Sequence, residues 1–298
     1  MSSKLSFSNL SYKAQRRVII ISFSLLPMIL LITFSYYPLY RMVFFSFFNW
    51  NGFSANREFI GLDNYVKVFS TPEYFSVFRV SLYYFFATFL QMAIALYFAT
   101  LLTFKVRAKN VFKGALFFPF LLNGVAIGFI FLFFFRPAGT LDSLLLLFGL
   151  ESITQKWLLN PDINNISLAM TSVWRYVGFN FIIFLGAIQS IPSDIYEAAE
   201  IDGASRWQQF KHIILPSIRK IVELNIILSV SGAISVFEIP YIMTGGANGT
   251  KTFVIQTVET AFKFNKFGLA SAMAVILLII VILVTLLQKR LFGEKEDH

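Results

Sequence analysis

Arg175 and Glu238 are charged residues set within apolar stretches long enough to cross a lipid bilayer. A charge at that depth is expensive, so each is expected to face a helix bundle or a wet cavity. The two could form a structural ion pair or snorkel to the outer interface. The functional reading is polar contact with a solute, or gating at the outer mouth of its path. Around Arg175, the residues Ser172, Tyr176 and Phe179 recur at helical spacing and share one face. Before Glu238, the residues Ser229, Gly232, Ala233 and Val236 share a second face. Aromatic rings can stack on the C–H face of a solute ring while its polar groups find hydrogen bonds. Small residues such as Gly232 and Ala233 either make room for a solute ring or allow close helix packing. These residue types can bind and pass a polar solute.

Other chemistry is poorly represented. The chain has no cysteine and two histidines, His212 and His298. Thiolate chemistry and disulfides are excluded, and a metal site is not expected. No constellation of His, Asp or Glu on one face suggests a catalytic residue. No Gly-rich phosphate loop is present, so the chain is not expected to bind ATP by that route. The net charge is +9. Lys and Arg nevertheless lie between apolar runs, on alternating sides, as membrane topology requires and nucleic-acid binding does not.

The elements that must position these residues are membrane helices. Of the 298 residues, 57% are hydrophobic and 14% charged, which excludes an ordinary soluble domain. Six spans are expected: Val18–Leu39, Phe78–Thr103, Val111–Phe135, Ser167–Ile191, Ile221–Met243 and Phe267–Gln288. Each is long enough for a hydrocarbon core of ~30 Å at about 1.5 Å per residue. Pro119 falls inside the third, where neighbouring helices can satisfy the freed carbonyl. The apolar run Leu141–Leu150 is too short to span and reads as interfacial. Basic residues are richer in the N-terminus (Lys4, Lys13, Arg16, Arg17), the second loop (Lys105, Arg107, Lys109, Lys113), the loop after span four and the C-terminus. Both termini are therefore expected in the cytoplasm. Residues 1–77 are expected to comprise an N-terminal cytoplasmic segment, the first span and an outer segment; 78–290 form the core membrane domain, with a polar coupling loop at 192–220; 291–298 are a cytoplasmic tail. No internal repeat is evident, which weakens a secondary transporter built from duplicated halves.

Between spans four and five lies the longest polar run, EAAEIDGASRWQQFKHIILP (Glu197–Pro216). Glu197–Asp202 reads as a short helix. Gly203 suits a left-handed turn at its end. Ala204–Ile214 reads as a second helix with an apolar stripe of Trp207, Phe210, Ile213 and Ile214. Pro216 stops or kinks it. The result is a helix–turn–helix offered to something soluble.

This run resembles the EAA loop of binding-protein-dependent ABC importer permeases. The matching positions are Glu197-Ala198-Ala199, Gly203, Ile213 and Leu215-Pro216. Lys220 departs from a second proline common in sugar permeases. PLYRMVFFSFFNWNG (Pro38–Gly52), GLDNY (Gly61–Tyr65), FEIPYIMTGGANGT (Phe237–Thr250) and FGLASAMAV (Phe267–Val275) are similar to segments of the carbohydrate-uptake, maltose-permease-like subfamily. The resemblance implies an all-α membrane protein with the type I ABC importer permease fold, multi-pass in a bacterial or archaeal inner membrane. It implies a non-catalytic subunit that takes up a sugar or oligosaccharide by alternating access. The partners it implies are a second permease subunit, two ATPase subunits that bind ATP and Mg, and an extracytoplasmic sugar-binding protein. ATPase coupling would fall on Glu197, Ala198, Ala199, Asp202, Gly203, Ala204, Phe210, Leu215 and Pro216. The substrate path would fall on Ser172, Arg175, Tyr176, Phe179, Ser229, Gly232, Ala233, Val236 and Glu238. A proton-coupled sugar carrier, or an ABC permease for a polyol or glycerol phosphate, is the alternative.

Overall fold

The computed structural model describes residues 11–104 and 107–292. Lys4, Lys105, His298 and most of the 291–298 tail lie outside the described residues. Ser11 caps α1 (Tyr12–Leu31) by accepting the Ala14 amide. A π-helical turn, Ile32–Tyr36, joins it to α2 (Tyr37–Phe45). Together they make one apolar helix, longer at both ends than Val18–Leu39. Next come β1 (Phe48–Asn49) and β2 (Glu58–Phe59), an antiparallel pair and a small departure from an all-α chain. Then follow α3 (Asp63–Ser70), α4 (Pro72–Ser76), α5 (Phe78–Leu101), α6 (Lys109–Leu121), α7 (Gly124–Phe135) and α8 (Thr140–Leu147). The long α9 (Asn164–Gln189) leads to α10 (Ser193–Ile201), α11 (Arg206–Gln209), a π-helical turn at Phe210–Ile214, and α12 (Leu215–Ser217). Last are α13 (Arg219–Ile234), α14 (Glu238–Thr244), α15 (Phe253–Val258) and α16 (Phe267–Phe292).

Among the described residues, five helical segments are long and apolar enough to cross a membrane: Tyr12–Phe45, Pro72–Leu101, Asn164–Gln189, Arg219–Thr244 and Phe267–Phe292. The expected third span is not a continuous helix. Its halves α6 and α7 bend by 97° at Leu122–Asn123, and count as a sixth crossing only if taken as one broken span. Asn123 makes the break: its Oδ1 accepts the Val125 amide at 2.8 Å and caps a new helix. Local capping chemistry overrides an apolar run that is otherwise unbroken. The expected fifth span also breaks. α13 ends at Ile234 and α14 restarts at Glu238, with Ser235–Phe237 non-helical between them. Irregular backbone at membrane depth is tolerated where it lines a cavity, and that is its position here.

The chain divides into two compact units. One comprises residues up to Val68 together with Thr260–Val275; the other comprises Phe69–Glu259 and the residues from Ile276 on. In the first, Asn64 Nδ2 donates to the carbonyls of Ser46 and Phe48, at 2.9 and 3.0 Å. The hydroxyls of Ser46 and Tyr65 share a hydrogen bond of 2.6 Å. The Gly268 amide donates to the Trp50 carbonyl, and a Cβ at 268 would collide with the Phe48 carbonyl oxygen. The FNWNG, GLDNY and FGLASA motifs are thus three sides of one clamp.

In the second unit α5 and α9 pack along their length, with α6 against α9 and α13 against α5. Close packing rather than transfer from water drives such association in lipid, so small residues matter. A Cβ on Gly178 would meet the Leu116 carbonyl oxygen, so α6 lies directly on α9. One apolar cluster includes Ala95, Ala99, Phe181, Phe184, Ile188 and Ile214. A second gathers Tyr84, Phe135, Leu168, Ile239 and Met243. At the start of α9, Asn164 and Asn165 donate to the carbonyls of Asn248 and Gly249, at 2.7 and 3.1 Å. They pin the TGGANGT turn, where Gly245, Gly246, Asn248 and Gly249 all have positive φ.

Candidate functional site

A cavity of about 530 Å³ lies inside the second unit, between α5, α6, α9 and α13 and beside the break before α14. It falls within the ~300–1,000 Å³ usual for small-molecule sites. Ser172, Arg175, Tyr176 and Phe179 line it from α9; Ser229, Gly232 and Ala233 line it from α13. Val236 joins them from the broken backbone, not from a continuous helical face, and Glu238 from the first turn of α14. All nine residues singled out for a solute path therefore share one cavity.

Arg175 Nη1 donates to Glu238 Oε2 at 2.6 Å. The arginine side chain is 13% exposed and the glutamate 40%. The Arg175 guanidinium also lies 5.1 Å from the centre of the Tyr176 ring. Glu238 stands in the first turn of α14, where a helix favours negative charge. Gly124, the first residue of α7, completes the arrangement. A Cβ there would collide with both Glu238 Oε2 and Arg175 Nη1. Three segments thus meet at one charge pair. At Gly232 the geometry is the reverse: a Cβ would meet nothing within 4 Å among the described residues. Of the two readings of that small residue, open room holds within this chain, and close packing does not.

Sequence reading missed the wall supplied by α5. Tyr84, Thr88 and Gln91 line the cavity, as do Asn180 on α9 and Phe120 on α6. The signal was present: Tyr84, Thr88 and Gln91 are spaced i, i+4, i+7. Phe120 and Phe179 face one another with ring centres 4.8 Å apart. Leu228, Ser235, Phe237 and Ile239 complete the lining.

The second candidate surface is the polar run between α9 and α13. Its first helix begins at Ser193, four residues before Glu197, so Glu197 lies mid-helix rather than at the N-terminus. Pro192 supplies the start. Asp202 ends the helix and Gly203 follows with φ +77°. The Ala204 amide donates to the Ala199 carbonyl at 2.8 Å, and the Gly203 amide to that of Glu200 at 3.1 Å. These are the two bonds of a Schellman turn, which needs a left-handed residue at 203.

The second half departs from a plain helix over Ala204–Ile214. Ser205 and Gln208 form a capping box, so α11 starts at Arg206. The helix then widens into the π turn Phe210–Ile214 just before Pro216, which has no N–H to bond the preceding turn. Ile214 is fully buried, while Phe210 and Tyr196 pack against the same cluster. That burial raises the pKa of the Tyr196 phenol. Gln209 Nε2 donates to the Ala204 carbonyl at 3.3 Å, and Arg206 stacks 4.9 Å from the centre of the Phe104 ring. The expected stripe is thus split: Trp207 remains 69% exposed. Glu197, Ala198, Asp202, Gly203, Leu215 and Pro216 are exposed; Ala199 and Ala204 are half-buried. Ile201 stands 87% exposed at the tip. The surface is anchored from below and apolar in places above.

Among the described residues, no cluster of three or more His, Asp or Glu side chains could hold a metal ion. The family described as binding-protein-dependent transport system inner membrane component matches residues 91–293. The chain belongs to this family. The matched stretch contains the polar run and nearly all of the cavity lining.

Among its relatives is the probable ABC transporter permease protein YurN of Bacillus subtilis (strain 168), 34% identical over 257 residues, covering 84% of this chain and 88% of that one. The osmoprotective compounds uptake permease protein GgtC of Synechocystis sp. (strain ATCC 27184 / PCC 6803 / Kazusa) is 32% identical over 81% of this chain and 88% of its own. The multiple sugar-binding transport system permease protein MsmF of Streptococcus mutans serotype c (strain ATCC 700610 / UA159) is 30% identical over 91% and 93%. The fold matches a chain of a bacterial ABC transporter that imports the acidic polysaccharide alginate. That match has a TM-score of 0.81 at 20% identity and covers 96% of this chain and 99% of that one. In this inner membrane component, a solute-sized cavity and an exposed, well-anchored polar loop therefore lie on the same bundle.

Proposed function

We propose that this chain is the permease subunit of an ATP-driven importer for a sugar or oligosaccharide. It would supply half of the translocation path and one docking element. A second permease would supply the other half, two ATPases would bind ATP and Mg, and an external binding protein would deliver the solute. One observation carries the reading. α9 and α13, which line the cavity, flank α10–α12 in the chain and join it through only Ser190–Pro192 and Ile218, so a movement of the loop would be carried to the walls of the cavity. Relatives named for sugar uptake support the solute class.

The pairing of Glu238 with Arg175 weighs against a proton-coupled carrier. Such a carrier needs a protonatable relay, and this carboxylate is already tied to a cation. The distribution of basic residues supports a cytoplasmic α10–α12 loop and cytoplasmic termini. Purified alone, the chain should hydrolyse no ATP; with its ATPases it should, and the sugar-loaded binding protein should stimulate it. Hydrolysis by the clean isolated chain would reject the reading. So would a reporter fused after Lys211 that reads as external, because the ATPases are cytoplasmic.

A further inference from the structure

The polar groups of the cavity fall into two sets. Arg175 and Glu238 neutralise one another. Tyr84, Asn180 and Gln91 form the second set. Tyr84 is 4% exposed and Asn180 1%. Yet the Tyr84 hydroxyl and both amide atoms of Asn180 make no hydrogen bond among the described residues. Buried polar groups are nearly always bonded, because an unmade bond is costly. Two such residues on the wall of one cavity point to a partner that enters it.

The chemistry of that partner follows from the atoms on offer. A phenol and two carboxamides both donate and accept. That pattern matches alcohol hydroxyls, which also do both, and not a carboxylate, which only accepts. Thr88 Oγ1 already donates to the Tyr84 carbonyl at 2.9 Å, so it has only lone pairs left to offer. Arg175 Nε is buried without a hydrogen-bond partner among the described residues and adds a donor, but the charge of the guanidinium is balanced by Glu238. Ring faces for a sugar's C–H surface come from Tyr176, Phe179 and Phe120. Tyr84 and Gln91 lie on the same face of α5, against α9, on which Asn180 sits one turn beyond Tyr176.

We propose that Tyr84, Gln91 and Asn180 form the hydroxyl-recognition face of the cavity, and that its solute is an uncharged sugar or polyol. This rests on the import reading above. The Arg175–Glu238 pair then holds the cavity together and selects no charge.

The test uses the complete importer in proteoliposomes, with its partner permease, ATPases and binding protein. The probes are maltose, trehalose, arabinotriose and glucosylglycerol, with digalacturonate as the acidic comparator. A neutral probe should enter at least tenfold faster than digalacturonate. Monodeoxy analogues of the fastest neutral probe are then compared in wild type, Tyr84→Phe and Asn180→Leu. Each variant should lose about fivefold to tenfold of the discrimination at one hydroxyl, because the partner of that hydroxyl is gone. A purely structural role would not move that ratio. Tyr84→Phe should also raise the melting temperature of the sugar-free complex, since it removes a buried unpaired hydroxyl. Faster entry of digalacturonate overturns the proposal while leaving the import reading intact. Unchanged discrimination in both variants, or failure of Tyr84→Phe to assemble, also overturns it. No ATP-dependent uptake of any of these carbohydrates would remove the import reading and the proposal together.

Discussion

Arg175 and Glu238, 63 residues apart in sequence, are joined by a 2.6 Å hydrogen bond between Nη1 and Oε2. The bond ties the middle of α9 to the first turn of α14, and Gly124 leaves the space in which it forms. Of the roles open to two charges at membrane depth, the structure realises the ion pair, on the wall of a cavity.

Breaking the pair on one side should be worse than removing both partners. Arg175→Met leaves a half-buried carboxylate without its cation. Fully buried pairs lose about 3–5 kcal/mol when broken and exposed ones ~0–1; with Glu238 at 40% exposure, about 2 kcal/mol is expected. Arg175→Met with Glu238→Leu should recover most of it. Gly124→Ala should resemble Arg175→Met. Thermal unfolding of the detergent-solubilised complex measures all of these. A double variant less stable than either single would contradict the pairing as a stabilising element.

Gly178, packed on α6, and Gly232, on the cavity wall, should behave oppositely. Gly178→Val drives a side chain into the α6 backbone, and overpacking of that kind costs about 1–3 kcal/mol or more. Folded protein should fall in fluorescence size-exclusion profiles. Gly232→Trp points into open space, so the chain should fold and assemble while uptake falls to background. Transport at the wild-type rate by a correctly assembled Gly232→Trp complex would show that the cavity is not the path.

Much of this was legible in the sequence because its signals are periodic. The face of α9 and the small-residue face of α13 were readable from spacings of three and four. The α5 wall carried the same spacing but was submerged in a helix of aromatic and aliphatic residues, where Tyr84 reads as one more ring. The breaks at Leu122–Asn123 and Ser235–Phe237 were invisible to hydropathy, which counts apolar residues and ignores caps. Asn123-Gly124 held a clue, since asparagine favours the N-cap. The start of α10 at Ser193 is set by Pro192 and not by the acidic Glu197 at which the motif begins.

Gly203→Val should uncouple more than it unfolds. Among the described residues no neighbouring atom lies within 4 Å of a Cβ there, so the penalty is the left-handed backbone, about 1–2 kcal/mol. The Schellman turn sets the angle between α10 and α11, and that angle should change. Glu197→Lys should act only through surface charge, because residue 197 lies mid-helix and away from the dipole end. Both variants should reach the membrane in normal amounts yet co-purify with less ATPase. Undiminished co-purification in both would mean that this loop is not the docking element.

The most direct measurement is sugar uptake by proteoliposomes holding the complete complex, with ATP on the α10–α12 side and the loaded binding protein on the other. The account predicts accumulation against a gradient in wild type, none without ATP, none in Gly232→Trp, and ATP hydrolysis poorly coupled to uptake in Gly203→Val. Accumulation that persists without ATP, or that follows an imposed proton gradient instead, would contradict it.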